Sequence, residues 1–253
     1  DHYHPRHPGD SPPATEAGFA ISVADRLDSL AGLFAAGIRP RSTADPYGLR
    51  RDAIGLLSCL IAKDQPFSLR QGLKKAATHL PIKADAEKID EAYDFILRRL
   101  EIQLRDEGFR PDVVSAAIEG GSDDPAEIKK TVEQLDAAVK KEGWQETFNS
   151  YSRCKRIVRE LGPLALTASS DTEASTRNLL QAYESAKASI GDNPGISGLL
   201  SAISELEAPI NRFFDEVLVM AEKEDLKDAR LSLLQHIADL PAGIANLSRL
   251  EGF

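Results

Sequence analysis

Apolar side chains recur every three or four residues along most of this chain. That spacing places them on one face of an α-helix, the face that packs against a core. No segment sustains the alternation of apolar and polar positions that a half-buried strand needs. We therefore expect an all-α protein built from helical bundles, with essentially no sheet.

Capping residues and helix breakers place the ends of these helices. Thr15 fits an N-cap and Gly37 a C-terminal stop, while Asp45-Pro46 combines an N-cap with proline at the first helical position. Gly108 and Gly143 should end or separate later helices. The predicted helices cover about residues 15–36, 45–64, 68–79, 85–106, 111–118, 124–139, 144–161, 172–190 and 194–206.

The most regular apolar pattern follows, and it predicts a helical hairpin. Its first helix carries an apolar stripe at Ile210, Phe213, Phe214, Val217 and Ala221. Glu222-Lys223-Glu224 forms a charged elbow, and Asp225 fits the N-cap of the second helix, which can stop before Pro241. The breaks at Gln65-Pro66 and Gly143 favour three parts, residues 1–63, 64–142 and 143–253.

Composition limits the classes of function. The chain has 253 residues, of which 42% are hydrophobic and 28% charged, and its formal net charge is −9. An acidic chain is not coated with basic surface for nucleic acid, so any RNA contact must come from a local basic patch.

One such patch is present. Arg153, Lys155, Arg156 and Arg159 place four positive charges within seven residues, with no acid between them. This helix face could meet an RNA phosphate backbone. Alternatively, it is a solvated face that pairs with Glu142, Glu146 or Glu160.

The sequence shows no active site of its own. It lacks a phosphate-binding Gly-x-x-x-x-Gly-Lys loop, a dinucleotide fingerprint, paired cysteine ligands and a nucleophile elbow. Cys59 and Cys154 lie far apart inside helical patterns, so we expect buried thiols in a reducing compartment. His2, His4 and His7 fit no established ligand spacing, so we expect no metal site.

The start of the chain adds one expectation about its origin. The sequence begins with Asp1 and its only methionine is Met220, so we expect a processed product or a piece of something longer. No signal peptide pattern is present, and no apolar run approaches the roughly 20 residues of a membrane helix, so we expect no membrane contact.

Two blocks carry a resemblance to a known family. Asn-Arg-Phe-Phe-Asp-x-Val-x-Val-Met at 211–220, followed by Arg-Leu-x-Leu-Leu at 230–234, resembles the C-terminal domain of the beta subunit of bacterial-type glycyl-tRNA synthetase. Far upstream, Asp-Arg-Leu-Asp at 25–28 and Asp-Pro-Tyr-Gly-Leu-Arg-Arg at 45–51 resemble another segment of that family.

The resemblance implies identities for the three parts. Residues 1–63 would end an HD-like helical domain, 64–142 would be a connecting body, and 143–253 would be a DALR-like anticodon-binding bundle. In a working HD phosphohydrolase, Asp25 would be the last metal ligand. The chain contains no His-Asp pair, so we do not predict that activity.

The resemblance also implies an activity and partners. The protein would be a glycine–tRNA ligase, with tRNA-Gly, the rest of the beta part and a catalytic alpha subunit or alpha-like domain as partners. ATP with Mg would be used by that catalytic part, and this chain alone would bind no cofactor and be inactive. From a different class, a helical assembly module that no longer binds RNA is the alternative.

The predicted tRNA contacts combine the basic helix with the hairpin. They are Arg153, Lys155, Arg156, Arg159, Asn211, Arg212, Asp215 and Arg230. Asp215 could accept a hydrogen bond from a cytosine amine, or it could pair with Arg212 or cap a helix. Arg50 and Arg51 are predicted as secondary tRNA or interdomain contacts, with ion pairs to Asp28 or Asp52 as the alternative.

The C-terminal end bears on localisation. The segment Ile-Ala-Asp-Leu-Pro-x-Gly-Ile-Ala at 237–245 looks like the fused plant plastid and mitochondrial enzymes. We therefore expect a plastid or mitochondrion, with bacterial cytoplasm as the alternative.

Overall fold

The computed structural model describes residues 3–5, 10–40, 45–167, 173–192 and 194–253. Within these ranges the chain forms α-helices and one closing 3-10 turn, without a β-strand, which confirms the all-α fold class. The elements are α1 Glu16–Ala35, α2 Leu49–Lys63, α3 Leu69–Ala77, α4 Ala86–Asp106, α5 Pro111–Ile118, α6 Pro125–Val139, α7 Trp144–Val158, α8 Ala174–Asp192, α9 Ile196–Glu216, α10 Glu224–Ala238 and η1 Leu247–Arg249. None of the helices in these ranges is long and apolar enough to cross a membrane.

The chain divides into two compact units. Unit 1 comprises Asp1–Val114 and Ser122–Lys130, and unit 2 comprises Ser115–Gly121 and Thr131–Phe253. Helices α5 and α6 therefore contribute residues to both units. The three-part division at residues 64 and 143 stays a prediction beside this division into two.

Unit 1 is built around α1, α2, α3 and α4, which pack against one another. Its core includes the fully or almost fully buried Leu30, Phe34, Leu57 and Leu100. The hydroxyl of Thr15 accepts a hydrogen bond from the N–H of Gly18 at 3.0 Å, which confirms the predicted N-cap of α1.

The start of α2 differs from the prediction. The helix begins at Leu49, after Gly48 in a left-handed conformation, and not at Asp45-Pro46. The Asp45 carboxylate still caps the helix, because it accepts hydrogen bonds from the N–H groups of Leu49 at 2.9 Å and Arg50 at 2.8 Å. A turn closed by the 3.1 Å hydrogen bond from Gly48 N–H to the Asp45 carbonyl brings the carboxylate back to the helix end.

Unit 2 is organised by α8 and α9, which pack along each other, and by α7, which packs against α9 and α10. Its core collects apolar side chains from all four helices, among them Cys154, Tyr183, Leu206, Phe213 and Leu234. Both cysteines of the chain, Cys59 and Cys154, are buried and unpaired, as predicted.

The predicted hairpin is wrong in three of its helix ends. Helix α9 runs without a break from Ile196 through Pro209 to Glu216, where the prediction separated a helix at 194–206 from the hairpin. Pro209 removes one backbone hydrogen bond. The buried stripe of Leu206, Ile210 and Phe213 continues past it at helical spacing and holds the helix together.

Helix α9 also ends earlier than expected, at Glu216 and not near Ala221. The next four residues alternate between buried and exposed: Val217 is 6% exposed, Leu218 77%, Val219 9% and Met220 56%. Two buried β-branched valines with a period of two favour extended backbone over helix. Helix α10 accordingly starts at Glu224 with Lys223 as its N-cap, where Asp225 had been predicted.

Candidate nucleic-acid interface

Helix α7 is fixed in unit 2 by one apolar side. Phe148, Tyr151, Cys154 and Val158 are buried, and the Tyr151 hydroxyl donates to the Ala238 carbonyl at 2.9 Å. Burial raises the pKa of the Cys154 thiol to about 12 and also raises the pKa of Tyr151, so both side chains are neutral near pH 7. The basic residues of α7 are consequently held on its other side.

These residues, Arg153, Lys155, Arg156 and Arg159, form what we call the α7 basic face. The three arginines are exposed, and Lys155 is partly buried. Arg156 Nε donates to the carbonyl of Ser152 at 3.3 Å, within its own helix. Arg159 lies 3.8 Å from Glu160, but both side chains are well exposed, and such surface pairs contribute little.

Of the acids that the sequence offered as partners of this face, Glu160 alone forms an ion pair with it in the part of the chain that the structure describes. Lys155 instead reaches Asp239, with Nζ 3.0 Å from Oδ1. In the sequence, Asp239 stood out only as one position of the segment 237–245. Lys155 and Asp239 are 84 positions apart, and no local pattern connects them.

Arg153 connects the basic face to α9. Its guanidinium carbon lies 4.2 Å from the centre of the Phe214 ring, a cation–π geometry. Next to it, Ser150 Oγ donates to Asn211 Oδ1 at 2.9 Å. The structure therefore brings Asn211 and Phe214 against α7. In the sequence, Phe214 was one position of an apolar stripe and of the block at 211–220, without a predicted contact to α7.

Arg212 and Asp215 lie on the exposed side of the same helix. Arg212 pairs with Glu216, four residues later, at 3.5 Å. Asp215 is exposed and has no hydrogen bond or ion pair among the described residues. The ion pair between Asp215 and Arg212 that the sequence allowed is therefore not formed.

Arg230 occupies a structural position. Its side chain is about 5% exposed; Nη1 donates to the carbonyl of Leu218 at 2.7 Å, and Nη2 binds Glu173. The pKa of Glu173 is lowered, chiefly by a backbone hydrogen bond; burial opposes this effect, and the Arg230 charge and the hydrogen bonds with Thr176 and Arg230 add to the lowering. This burial argues against the direct RNA contact that was expected of Arg230.

The remaining predicted residues belong to unit 1. Arg50 and Arg51 lie in the first turn of α2, with Arg51 exposed. Burial raises the pKa of Asp52 there, and the charges of Arg26 and Arg51 oppose the rise.

The residues discussed for a metal site are dispersed. Asp25 is exposed on α1, and His4 contacts Asp10 at 3.4 Å. His2 and His7 lie outside the described residues. No group of three His, Cys, Asp or Glu side chains that could hold a metal occurs within the described ranges.

Comparison with known proteins agrees with the resemblance seen in the two sequence blocks. The family model of the glycyl-tRNA synthetase beta subunit matches residues 1–119, and that of the DALR anticodon binding domain matches residues 147–245. The basic face and its contacts with α9 and α10 fall within the second match.

Relatives cover nearly the whole chain. It is 37% identical over 98% of its length to a chloroplastic/mitochondrial glycine–tRNA ligase of Arabidopsis thaliana. Identity to the glycine–tRNA ligase beta subunits of Moorella thermoacetica and Desulfatibacillum aliphaticivorans is 33%, over 98% and 99% of the chain. The chain spans 24% of the plant relative and 37% and 38% of the bacterial ones. It therefore belongs to the glycyl-tRNA synthetase beta-subunit family, and its C-terminal part is a DALR anticodon binding domain.

Proposed function

We propose that this chain is the tRNA-binding C-terminal region of a glycyl-tRNA synthetase, which attaches glycine to tRNA-Gly with ATP. Relatives named as glycine–tRNA ligases support this activity for the larger protein. We assign the use of ATP, Mg and glycine to a catalytic alpha subunit or alpha-like domain outside this chain. That catalytic part, the rest of the beta part and tRNA-Gly are its proposed partners.

The observation that carries the proposal is the α7 basic face. Its three exposed arginines have few acidic partners, although the chain as a whole is acidic. Arginine guanidinium groups bind phosphate oxygens in a planar, two-pronged geometry, and backbone contacts of this kind position RNA without selecting its sequence. The α7 basic face therefore has the charge and the exposure needed to hold an RNA backbone.

The residues around this face receive different roles. Arg153, Arg156 and Arg159 contact phosphates directly, and Arg212 extends the surface along α9. Arg153 is fixed by Phe214, so its guanidinium needs little ordering when RNA binds. Asn211 supports α7 through Ser150.

Three further residues complete the assignment. Arg230 stabilises the domain from within and does not touch RNA. Arg50 and Arg51 remain secondary contacts, to tRNA or to another domain.

For localisation we propose a plastid or a mitochondrion. The relative with 37% identity is named chloroplastic/mitochondrial, which supports an organelle. Bacterial relatives of 33% identity leave the bacterial cytoplasm as the alternative.

The test is binding of tRNA-Gly transcript to the chain over a series of salt concentrations. If several phosphates are contacted, log affinity should fall linearly with log salt, by about 0.7–0.9 per contact. A transcript with a foreign anticodon should show a similar slope at lower affinity. Weak binding without salt dependence would instead favour the helical assembly module.

A further inference from the structure

A hollow of about 250 Å³ lies between the C-terminal halves of α8 and α10. It is lined by Tyr183, Lys187, Ile190, His236, Asp239 and Leu240. Ile190 and Leu240 provide apolar walls, and the rings of Tyr183 and His236 meet edge to face with centres 6.1 Å apart. Apolar and aromatic walls with a few polar groups suit a flat heterocyclic ring.

Two of the side chains that line this hollow can accept hydrogen bonds. Asp239 uses Oδ1 for Lys155, while its Oδ2 has no hydrogen bond within the described ranges. His236 Nδ1 lies 2.8 Å from the carbonyl of Ser232, which can only accept. Nδ1 then carries the hydrogen, and in that tautomer Nε2 is left as an acceptor.

One ion pair connects the rim of the hollow to the α7 basic face. Asp239, on its border, is the residue that binds Lys155 of that face at 3.0 Å. Lys187, exposed on α8, adds a positive charge on the other side. A nucleotide whose base entered the hollow would therefore find cations on both sides for its phosphates.

We propose that this hollow binds one unstacked RNA base that carries an exocyclic amine, with Asp239 and His236 accepting its hydrogens. The proposal rests on the proposed function, and under that function the base is cytosine. Glycine codons all begin with two guanines, so glycine anticodons end in two cytosines. Uracil presents an acceptor oxygen where cytosine presents its amine, so the Asp239 carboxylate would repel it.

This assignment differs from the prediction that Asp215 reads the base. Asp215 lies exposed near the end of α9, four residues from Asn211. Unpaired bases are recognised when they stack on side chains and form hydrogen bonds along one edge. The hollow at Asp239 offers both kinds of contact.

The experiment uses the full chain and RNA hairpins whose loop carries a glycine anticodon. Each of the two cytosines is replaced in turn by uracil. The unmodified chain should prefer cytosine at one of the two positions by about tenfold to a hundredfold. Asp239→Ala should reduce this preference to near unity while the protein remains folded, as judged by thermal unfolding.

Two control variants and one further test variant separate base reading from general charge. Lys155→Ala breaks the ion pair but leaves the carboxylate, so it should weaken binding to all hairpins equally and keep the preference. Asp225→Asn removes one negative charge at the other end of α10 and should also keep it. His236→Phe preserves a ring without its acceptor and should lower the preference, even if Asp239→Ala proves unstable.

The outcomes also distinguish this proposal from the function on which it rests. A preference retained in Asp239→Ala, or lost only in Asp215→Ala, overturns the assignment of the hollow. If binding depends steeply on salt but shows no preference for cytosine, the assignment of the hollow is overturned and the proposed function stands. Absence of salt-dependent binding to every hairpin overturns both.

Discussion

The guanidinium of Arg230 donates to the carbonyl of Leu218 at 2.7 Å, so a buried cation on α10 holds the segment that joins α9 to α10. The same guanidinium binds Glu173 just before α8. Because Leu218 itself is 77% exposed, the segment is fixed through its backbone and through the buried Val217 and Val219.

Replacing Arg230 should destabilise unit 2. Arg230→Gln removes the long donor that reaches the Leu218 carbonyl, and a hydrogen bond to a charged group contributes about 1.5–3 kcal/mol to the free energy of unfolding. Urea unfolding measures this loss. As the control, Arg212→Gln breaks only an exposed pair on α9 and should change the free energy of unfolding by less than about 0.5 kcal/mol. If Arg230→Gln lowered the free energy of unfolding no more than Arg212→Gln, the buried contact would be unimportant for stability.

The contribution of Glu173 should depend on pH. Its pKa in the folded protein lies below the ordinary value of 4.5. As the pH falls, Glu173 is therefore protonated in the unfolded chain before it is protonated in the folded protein. The stabilisation that the Glu173 carboxylate provides is complete above about pH 4.5 and is lost as the pH drops through the lowered pKa.

The measurement compares the chain with Glu173→Gln at several pH values. The difference in their free energy of unfolding should be constant near neutral pH and shrink in acid. Because Glu173 is 42% exposed, the difference should be small. A difference that grows on acidification would contradict the assigned contact.

Local patterns in the sequence were sufficient for much of this fold. The N-cap at Thr15, the stop at Gly37 and the apolar faces of α1 and α4 depend on residues close together along the chain. The basic face of α7 was visible for the same reason, since its four cations lie within two turns.

Contacts between distant segments were not visible in this way. Arg230 and Glu173 are 57 positions apart, and Lys155 and Asp239 are 84 apart. The same limit explains α9. Its continuation through Pro209 and its end at Glu216 depend on burial against α7 and α8, which outweighs the preference of proline for helix starts.

The cap formed by Asp45 provides a test in unit 1. Asp45→Ala leaves two N–H groups at the start of α2 without their acceptor and should cost about 1 kcal/mol of stability. Asp45→Asn keeps one acceptor oxygen and should cost less. Urea unfolding compares the two variants, and an unchanged stability of Asp45→Ala would show that water replaces the carboxylate without loss.

The chain alone should not activate glycine. It carries no phosphate-binding loop in its sequence, so ATP–pyrophosphate exchange with glycine should stay at background in the purified chain. ATP–pyrophosphate exchange activity that co-purifies with the chain over successive columns would reveal an ATP site.

The last prediction separates the charge of the α7 basic face from its geometry. Changing Arg153, Arg156 and Arg159 together to Ala should weaken tRNA binding about equally for matched and mismatched anticodons. The slope of log affinity against log salt should flatten by about 0.7–0.9 for each phosphate that the protein no longer neutralises. A matched control removes the exposed Lys74, Lys75 and Lys83 of unit 1 and leaves this slope unchanged.

A single substitution then tests the stacking of Arg153 on Phe214. Arg153→Lys keeps the charge, so the salt slope should stay constant, but lysine lacks the planar guanidinium that packs on the ring at 4.2 Å. Affinity should fall by a few-fold, because the cation is no longer held in place before RNA binds. If the triple variant binds tRNA with the original slope, α7 is a solvated face, and the RNA contacts lie elsewhere on the domain.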